Sequence, residues 1–475
     1  MASDYNQSFN TIFRWQFLST VIITVIQLIT IVLLGRLLEY KELGAFALFQ
    51  IIFRFALYCL EPGMFFSIIQ KHESNSSLIR KLFSWQFVYL LSSCIVLVFL
   101  SLYSETFKEV HGVLLVNCFV ILILIGSGSF LHSKLIQQFK QKEIAISQII
   151  AYLFELILVI GLCSFYNPLL VFSYGIIVRY LVFYGMCLIY YYFLAKSSNT
   201  EIQKTSTKDH LQQNHYNIAS QILSYLQGQY DTFIIISLFG LSTLGGYILT
   251  TEISFVIFSK VNPLFNKAIL PVVSKSINDK NGENNIISES FTNYFILIAL
   301  SYCGFWIFRS DLFLLAYPEK VDELSYYASI LLPIAFCKAL NNIMNSYLLA
   351  IGEARKIFYW NVILLVSNYS VFAIFFFQKY ELHTFLVFSL LYTILSTMIV
   401  SYVLSRELKR KEIQWKGIEA KAIMNIILII IVLYFIHVFI PSTLLAISMA
   451  LIFTLVMLYI LERKRFLSWL SLSII

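Results

Sequence analysis

A chain of 475 residues that is 59% hydrophobic and only 13% charged, with a mean hydropathy of +0.79, is not a water-soluble domain; such domains carry roughly 25% charge and about 45–50% apolar residues. The net charge of +8 invites a nucleic-acid reading, but the basic residues lie between apolar runs in a pattern that membrane topology explains, so no nucleic-acid partner is expected. The seven cysteines (Cys59, Cys94, Cys118, Cys163, Cys187, Cys303 and Cys337) all fall inside apolar runs, with no CxxC and no Cys/His cluster. They read as small buried apolar residues, and neither a disulfide frame nor a metal site is expected.

In chain order, the hydropathy pattern predicts fourteen spans at 15–37, 43–69, 82–103, 112–134, 145–165, 168–194, 217–238, 243–270, 288–309, 324–350, 357–377, 383–405, 419–439 and 442–461. Each is near the length of about 20 residues that crosses a bilayer as an internally hydrogen-bonded helix. The polar start, MASDYNQSFNT, is followed by no A-x-A-like cleavage site, so the first run reads as a retained helix. Alternating from a cytoplasmic N-terminus, the inner segments hold 25 Lys and Arg, the outer segments six, and three (Arg54, Arg179, Lys338) lie within spans. That bias places both termini in the cytoplasm and supports an even number of spans.

The polar stretch 196–216, KSSNTEIQKTSTKDHLQQNHY, reads as a cytoplasmic linker between two six-helix bundles, 1–195 and 217–405. A basic linker, two appended helices and a cytoplasmic tail follow over 406–475. An offset of 201 residues places Leu43-Gly44 on Leu244-Gly245, Ser19 on Ser220 and Pro62 on Pro263. Six spans per half make this a parallel repeat, related by a pseudo-two-fold along the membrane normal. The fold class is therefore all-α and integral to the membrane.

Ionisable groups inside spans cost at least about 2.5–3.5 kcal/mol at the bilayer centre, so each needs a partner or an aqueous surface. Span 2 carries Arg54, Tyr58 and Glu61 on one face, followed by a helix-breaking Pro62-Gly63. Span 7 carries Ser220, Ser224, Gln227 and Asp231, another single stripe; span 8 carries Glu252 and Lys260 before Asn262-Pro263, a second expected break and gating point. Span 10 carries Lys338, Asn341, Asn342 and Asn345, and spans 5 and 6 add Glu155 and Arg179.

Each group also has a plainer role. The Asn stripe also reads as helix-on-helix packing, Lys260 as snorkelling to the inner interface, Arg54 with Glu61 as an internal pair, and Gly126-Ser127-Gly128-Ser129 as a close-packing motif. Taken together the stripes imply a central aqueous cavity with cations at mid-depth. That suits a large, polar, anionic substrate held by Arg54, Arg179 and Lys338. The carboxylates Glu61, Glu155, Asp231 and Glu252 are candidates for a coupling H⁺ or Na⁺. No Walker A, HExxH or GxSxG motif occurs and the histidines are scattered, so no catalytic residue and no cofactor is expected.

Two stretches resemble a known family, the exporters of undecaprenyl-diphosphate-linked sugar repeats. In spans 1–2 the matching residues are Arg36-Leu37-Leu38, Leu43-Gly44, Gly63 and Ile68-Ile69-Gln70. In spans 7–8 they are Tyr230-Asp231, Gly240, Leu244-Gly245, Tyr247, Ala268 and Pro271. The resemblance implies the multidrug/oligosaccharidyl-lipid/polysaccharide transporter superfamily, with two six-helix bundles around a central cavity and alternating access; fourteen spans also resemble its lipid II flippases. It implies a lipid-linked oligosaccharide flippase of the bacterial inner membrane, with a polyprenyl diphosphate substrate, membrane lipids and other polysaccharide-assembly proteins as partners. An ion-coupled drug or cation antiporter of the same fold predicts an acid-dominated cavity, against which the three mid-span bases argue. A membrane polymerase or ligase predicts a large outer loop with catalytic Arg or His, whereas the longest outer loop, near 309–324, has about fifteen residues.

Overall fold

The computed structural model describes residues 2–60, 112–138, 140–194, 225–263, 265–266, 286–378, 380–410, 419–440 and 442–461, together with 84, 87, 88, 91, 95 and 222. Among these residues the chain is all-α. Ten helical stretches are long and apolar enough to cross a membrane; the protein is a multi-pass membrane protein. The chain divides into two compact units, Met1–Ile248 and Leu249–Ile475.

The first unit contains α1 (Ala2–Leu37), α2 (Tyr40–Leu60), α3 (Gly112–Gln137), α4 (Gln141–Leu162) and α5 (Pro168–Leu194), and most of α6 (Tyr230–Ser254), within which the division falls. The apolar side chains of α1 show why water is excluded as the solvent. Val21, Val25 and Ile29 form an i, i+4, i+8 stripe that faces outward, while Ile23 and Ile26 are buried. A helix that is apolar on its exposed side as well as its packed side is stable only in lipid. α4 and α5 pack against each other and against α1 and α3. At one crossing Tyr184 of α5 lies directly over Gly128, as expected of the close-packing motif in α3.

α6 reverses direction within its length. Gly240 has φ 80° and ψ −177°, a conformation open essentially to glycine alone. The side chains of Asp231 and Tyr247 are 16 residues apart yet 2.7 Å from each other. A straight helix would separate them by about 24 Å. The chain therefore doubles back at Gly240, between the expected spans 7 and 8.

The second unit contains α7 (Ile286–Ile307), the short α8 (Arg309–Ala316), a 3₁₀ turn (Pro318–Lys320), α9 (Val321–Ala350), α10 (Ala354–Gln378), α11 (Leu382–Arg410), α12 (Ala420–Phe439) and α13 (Thr443–Leu461). The appended helices are joined to this unit by a continuous core. Ala422, Ile426, Ile429 and Leu433 of α12, spaced i, i+4, i+7, i+11, pack with Ala299, Leu300, Ile307 and Phe308 and with Ala446 and Ala450 of α13. At one end His437 Nδ1 lies 3.0 Å from Asp311 Oδ2. Where α9 gives way to α10 and α11 ends, Lys356 Nζ lies 2.6 Å from Glu407 Oε2 and 3.0 Å from Glu353 Oε2.

The expected spans that fall on described residues are helical, with boundaries shifted by a few residues. Span 82–103, the linker 196–216 and the second half of span 43–69 lie outside the described residues, apart from isolated positions. α1 starts well before the apolar run, and α8 occupies part of what the sequence offered as a loop.

Candidate functional site

In the first unit, the two copies of the Leu-Gly repeat meet. A Cβ placed on Gly44 would lie 2.0 Å from Leu241 O, and one placed on Gly245 would lie 2.0 Å from Tyr40 O and 3.0 Å from Gly44 N. The pairs are related by the same offset of 201 residues, since Gly44 and Gly245 are equivalent and so are Tyr40 and Leu241. Each copy therefore presents the same atoms to the other, the signature of an isologous two-fold contact. Leu43, Phe46, Leu241, Leu244 and Tyr247 are all buried around it. Tyr225 adds a further tie, its hydroxyl donating to Ile51 O at 2.7 Å.

Asp231 sits beside this contact. Its side chain is almost wholly buried; Oδ2 accepts from Tyr247 OH at 2.7 Å, and Oδ1 accepts the Thr232 backbone N–H at 2.9 Å. The carboxylate thus links the two arms of the Gly240 hairpin. Gln227, on the stripe before it, is half-buried. Arg54 is half-buried on α2 and donates from Nη2 to Gln50 Oε1 at 3.2 Å, one helical turn away.

Glu155 and Arg179 form a closed cluster. Arg179 Nη1 donates to both carboxylate oxygens of Glu155, at 3.2 and 3.0 Å. Its guanidinium carbon lies 4.8 Å from the Tyr152 ring centre and 5.1 Å from that of Tyr180. Gln27 of α1 donates to Tyr152 OH at 3.0 Å. A cation with its counter-ion, two aromatic faces and almost no solvent is compensated in place. Tyr152 and Tyr180 were legible only weakly: one precedes Glu155 by three residues and the other follows Arg179 directly.

In the second unit, the polar face of α9 is spread over two neighbours. Lys338 Nζ lies 5.0 Å above the Phe255 ring. Asn262 Nδ2 donates to Ala339 O at 3.4 Å, and Asn262 Oδ1 accepts from Tyr294 OH. Asn266 Nδ2 donates to Asn342 Oδ1 at 2.7 Å while Asn266 Oδ1 accepts from Ser346 at 2.9 Å. Asn341 Nδ2 donates to Ser396 of α11 at 3.1 Å. Asn266, unremarked in the sequence, lies one turn beyond Asn262 and was recognisable by that spacing. The Oδ1 atoms of Asn341 and Asn345 are buried and accept no hydrogen bond from the described residues. With Lys338 they lie at i, i+3 and i+7 on one face of α9. That face offers one cation and two unused acceptors.

Glu252 is half-buried. The chain is helical at both Asn262 and Pro263, so the break expected there does not interrupt the helix up to that point. Membrane helices accommodate proline where neighbouring groups satisfy the backbone, and Asn262 is itself held by two other helices. Glu61, Pro62 and Gly63 lie outside the described residues. No group of three or more His, Cys, Asp or Glu suited to a metal ion occurs among the described residues.

A family model described as polysaccharide biosynthesis protein matches residues 33–325. The teichuronic acid biosynthesis protein TuaB of Bacillus subtilis (strain 168) is 25% identical over 376 residues, covering 76% of this chain and 75% of that protein. Among solved structures, the lipid II flippase MurJ in its inward closed conformation aligns with a TM-score of 0.67 at 16% identity, over 96% of this chain and 99% of that one. An outward-facing multidrug resistance MATE family transporter of the MOP superfamily aligns with a TM-score of 0.53 at 13% identity, over 84% and 96% of the two chains. At these identities the structural likeness establishes a shared fold.

Proposed function

Because the chain belongs to the polysaccharide biosynthesis protein family, we propose that it flips polyprenyl-diphosphate-linked oligosaccharide repeat units across the bacterial inner membrane by alternating access. Both termini are cytoplasmic on this reading, and 1–195 and 217–405 act as the two six-helix bundles. The name of its relative TuaB, the flippase fold and the polar groups within spans support the same assignment. The observation that carries it is the α9 face of Lys338, Asn341 and Asn345. A helix face that carries an ammonium and two carbonyl acceptors used by no described residue suits a ligand that brings both negative charge and hydroxyl donors. A sugar diphosphate has both, and its isoprenoid tail remains in lipid.

Arg54 and Lys338 are assigned to the substrate. Arg179 with Glu155 is assigned to holding α4 on α5, because its charge is already matched. Asp231 and Glu252 are the proposed sites for a coupling H⁺ or Na⁺. The paired glycines close one end of the pathway and part in the alternate state.

A clean deletion in a strain with no second exporter tests this. Radiolabelled lipid-linked repeat units should accumulate on the cytoplasmic leaflet and surface polymer should disappear, both restored by the wild-type chain. Normal polymer in the deletion sinks the assignment.

A further inference from the structure

The second unit carries a groove that lies outside the candidate site described above. This groove of about 540 Å³ runs between α7, α9 and α12, within the 300–1,000 Å³ range typical of small-molecule sites. Its walls are apolar, formed by residues such as Cys303, Trp306, Leu332, Pro333, Phe336 and Ile431. Trp306 and Ile431 are exposed, so the groove opens to the surroundings of the helix bundle, which at this depth are lipid.

One end of the groove is built with care. Pro333 has no N–H, so the Ser329 carbonyl one turn earlier loses its helical donor. Trp306 Nε1 supplies the missing hydrogen bond at 3.1 Å, which fixes the indole at the rim. Arg309 then stacks on that indole, its guanidinium carbon 4.7 Å from the ring centre, and donates from Nη1 to Trp306 O at 2.8 Å. No carboxylate among the described residues pairs with Arg309. The acid two positions on, Asp311, faces His437 instead. Arg309 Nε is buried and has no acceptor among the described residues. A guanidinium oriented by an aromatic plane, with no counter-ion among the described residues, suits a phosphate oxygen.

We propose that this groove binds an anionic glycerophospholipid, with an acyl chain along α7, α9 and α12 and the phosphate on Arg309. The occupant is decided by the combination. An apolar trough of this size at membrane depth takes a hydrocarbon chain, and Arg309, stacked on the lining residue Trp306 and paired with no carboxylate among the described residues, favours an anionic over a zwitterionic head group. Bound there, the lipid fills the seam between the appended helix α12 and the bundle it packs on. The proposal stands independently of the flippase assignment, since neither the transported substrate nor its route enters it.

Native mass spectrometry of the full-length protein in detergent, with palmitoyl-oleoyl phosphatidylglycerol or phosphatidylcholine added, tests it. The wild type should retain phosphatidylglycerol in preference. Arg309→Gln should weaken phosphatidylglycerol retention about fivefold, the worth of one basic side chain near a lipid head group, and leave phosphatidylcholine unchanged. Ile431→Trp, which fills the trough, should weaken both. Arg309→Lys keeps the charge and should retain part of the preference, which separates a lost site from a lost fold. Equal retention of the two lipids by the wild type overturns the proposal, as does unaltered phosphatidylglycerol retention in Arg309→Gln. Displacement of phosphatidylglycerol by undecaprenyl phosphate, abolished by Ile431→Trp, also overturns it by assigning the trough to an isoprenoid chain.

Discussion

Alanine at Gly245 is the most direct perturbation of the repeat contact. The new Cβ would stand 2.0 Å from Tyr40 O, whereas real Cβ atoms essentially never come within 3.0 Å of a heavy atom. The carbonyl belongs to the backbone of α2, so no side-chain rotation relieves the clash, and the two backbones must part by at least about 1 Å. On the proposed alternating access, overpacking of this kind costs about 1–3 kcal/mol in the state that keeps the contact closed, and a state in which the contact is open is spared. The population of the open state should therefore rise about 5- to 150-fold.

Ala45 is buried next to Gly44, so an Ala45→Cys reporter on a background free of the native cysteines registers the change as faster labelling by a membrane-impermeant maleimide. Gly44→Ala should act equally, because its Cβ would meet Leu241 O at the same 2.0 Å. The double variant should cost far less than twice the single, since one parting relieves both clashes. Gly240→Ala is the control. Nothing lies within 4 Å of its Cβ position, so its cost of about 1–3 kcal/mol is backbone strain alone, and labelling of the Ala45→Cys reporter should not change. Unchanged labelling in both Gly44→Ala and Gly245→Ala, or additive costs in the double, would refute a shared symmetric contact.

Other outcomes follow from the buried polar groups. Arg179→Met or Glu155→Leu alone should lower stability by about 3–5 kcal/mol, seen as early thermal unfolding in detergent, while the two together should unfold near the wild type and keep transport; a stable but inactive double variant would move the pair into the substrate site. Asp231→Asn and Tyr247→Phe should each cost about 1–2 kcal/mol, with little further loss in the double, because each removes the same bond across the hairpin. If Asp231→Asn instead abolishes transport without changing the unfolding temperature, ion binding outweighs its structural role. Lys338→Ala should slow accumulation of translocated repeat units about tenfold or more, with unaltered membrane insertion; full activity removes Lys338 from the site.

The sequence was most informative where the bilayer imposes its own rule. Apolar runs of spanning length needed no tertiary information, and the described helices follow them. The Leu43-Gly44 and Leu244-Gly245 match was visible as a repeat, but not as a meeting of the two copies, because an offset says nothing about distance. Partner choice was hidden for the same reason. Arg54 and Glu61 share a face of span 2 and read as a pair, whereas Arg179 and Glu155 lie on different helices and no local pattern joins them. Their contact depends on how α4 packs on α5, a property of side chains along both helices at once. Pro333 lies within span 10, but its consequence, an indole hydrogen-bonded to the carbonyl it leaves free, required knowing that Trp306 lies opposite Ser329.

The symmetry of the repeat and its chemistry obey different constraints. At the contact itself, backbone meets backbone, and a two-fold arrangement demands that both copies keep the smallest residue; any side chain at Gly44 penalises the interface as much as one at Gly245. One turn or more away the constraint lapses. There the first copy carries Arg54, while the second carries Asp231 tied to Tyr247. A duplicated helix pair can thus keep a shared contact while its two copies carry different polar side chains around it. For a substrate that is anionic at one end and must be released after each cycle, that division has a physical use. On the proposed function, Arg54 would attract the diphosphate, and Asp231, set beside the same contact, would bias its opening through the hydrogen bond it makes across the Gly240 turn. The two functions are separable by substitution: Arg54→Ala should weaken substrate retention with labelling of the Ala45→Cys reporter unchanged, and Asp231→Asn should change that labelling. If Arg54→Ala alters the reporter as strongly as Asp231→Asn does, the copies are not divided in this way.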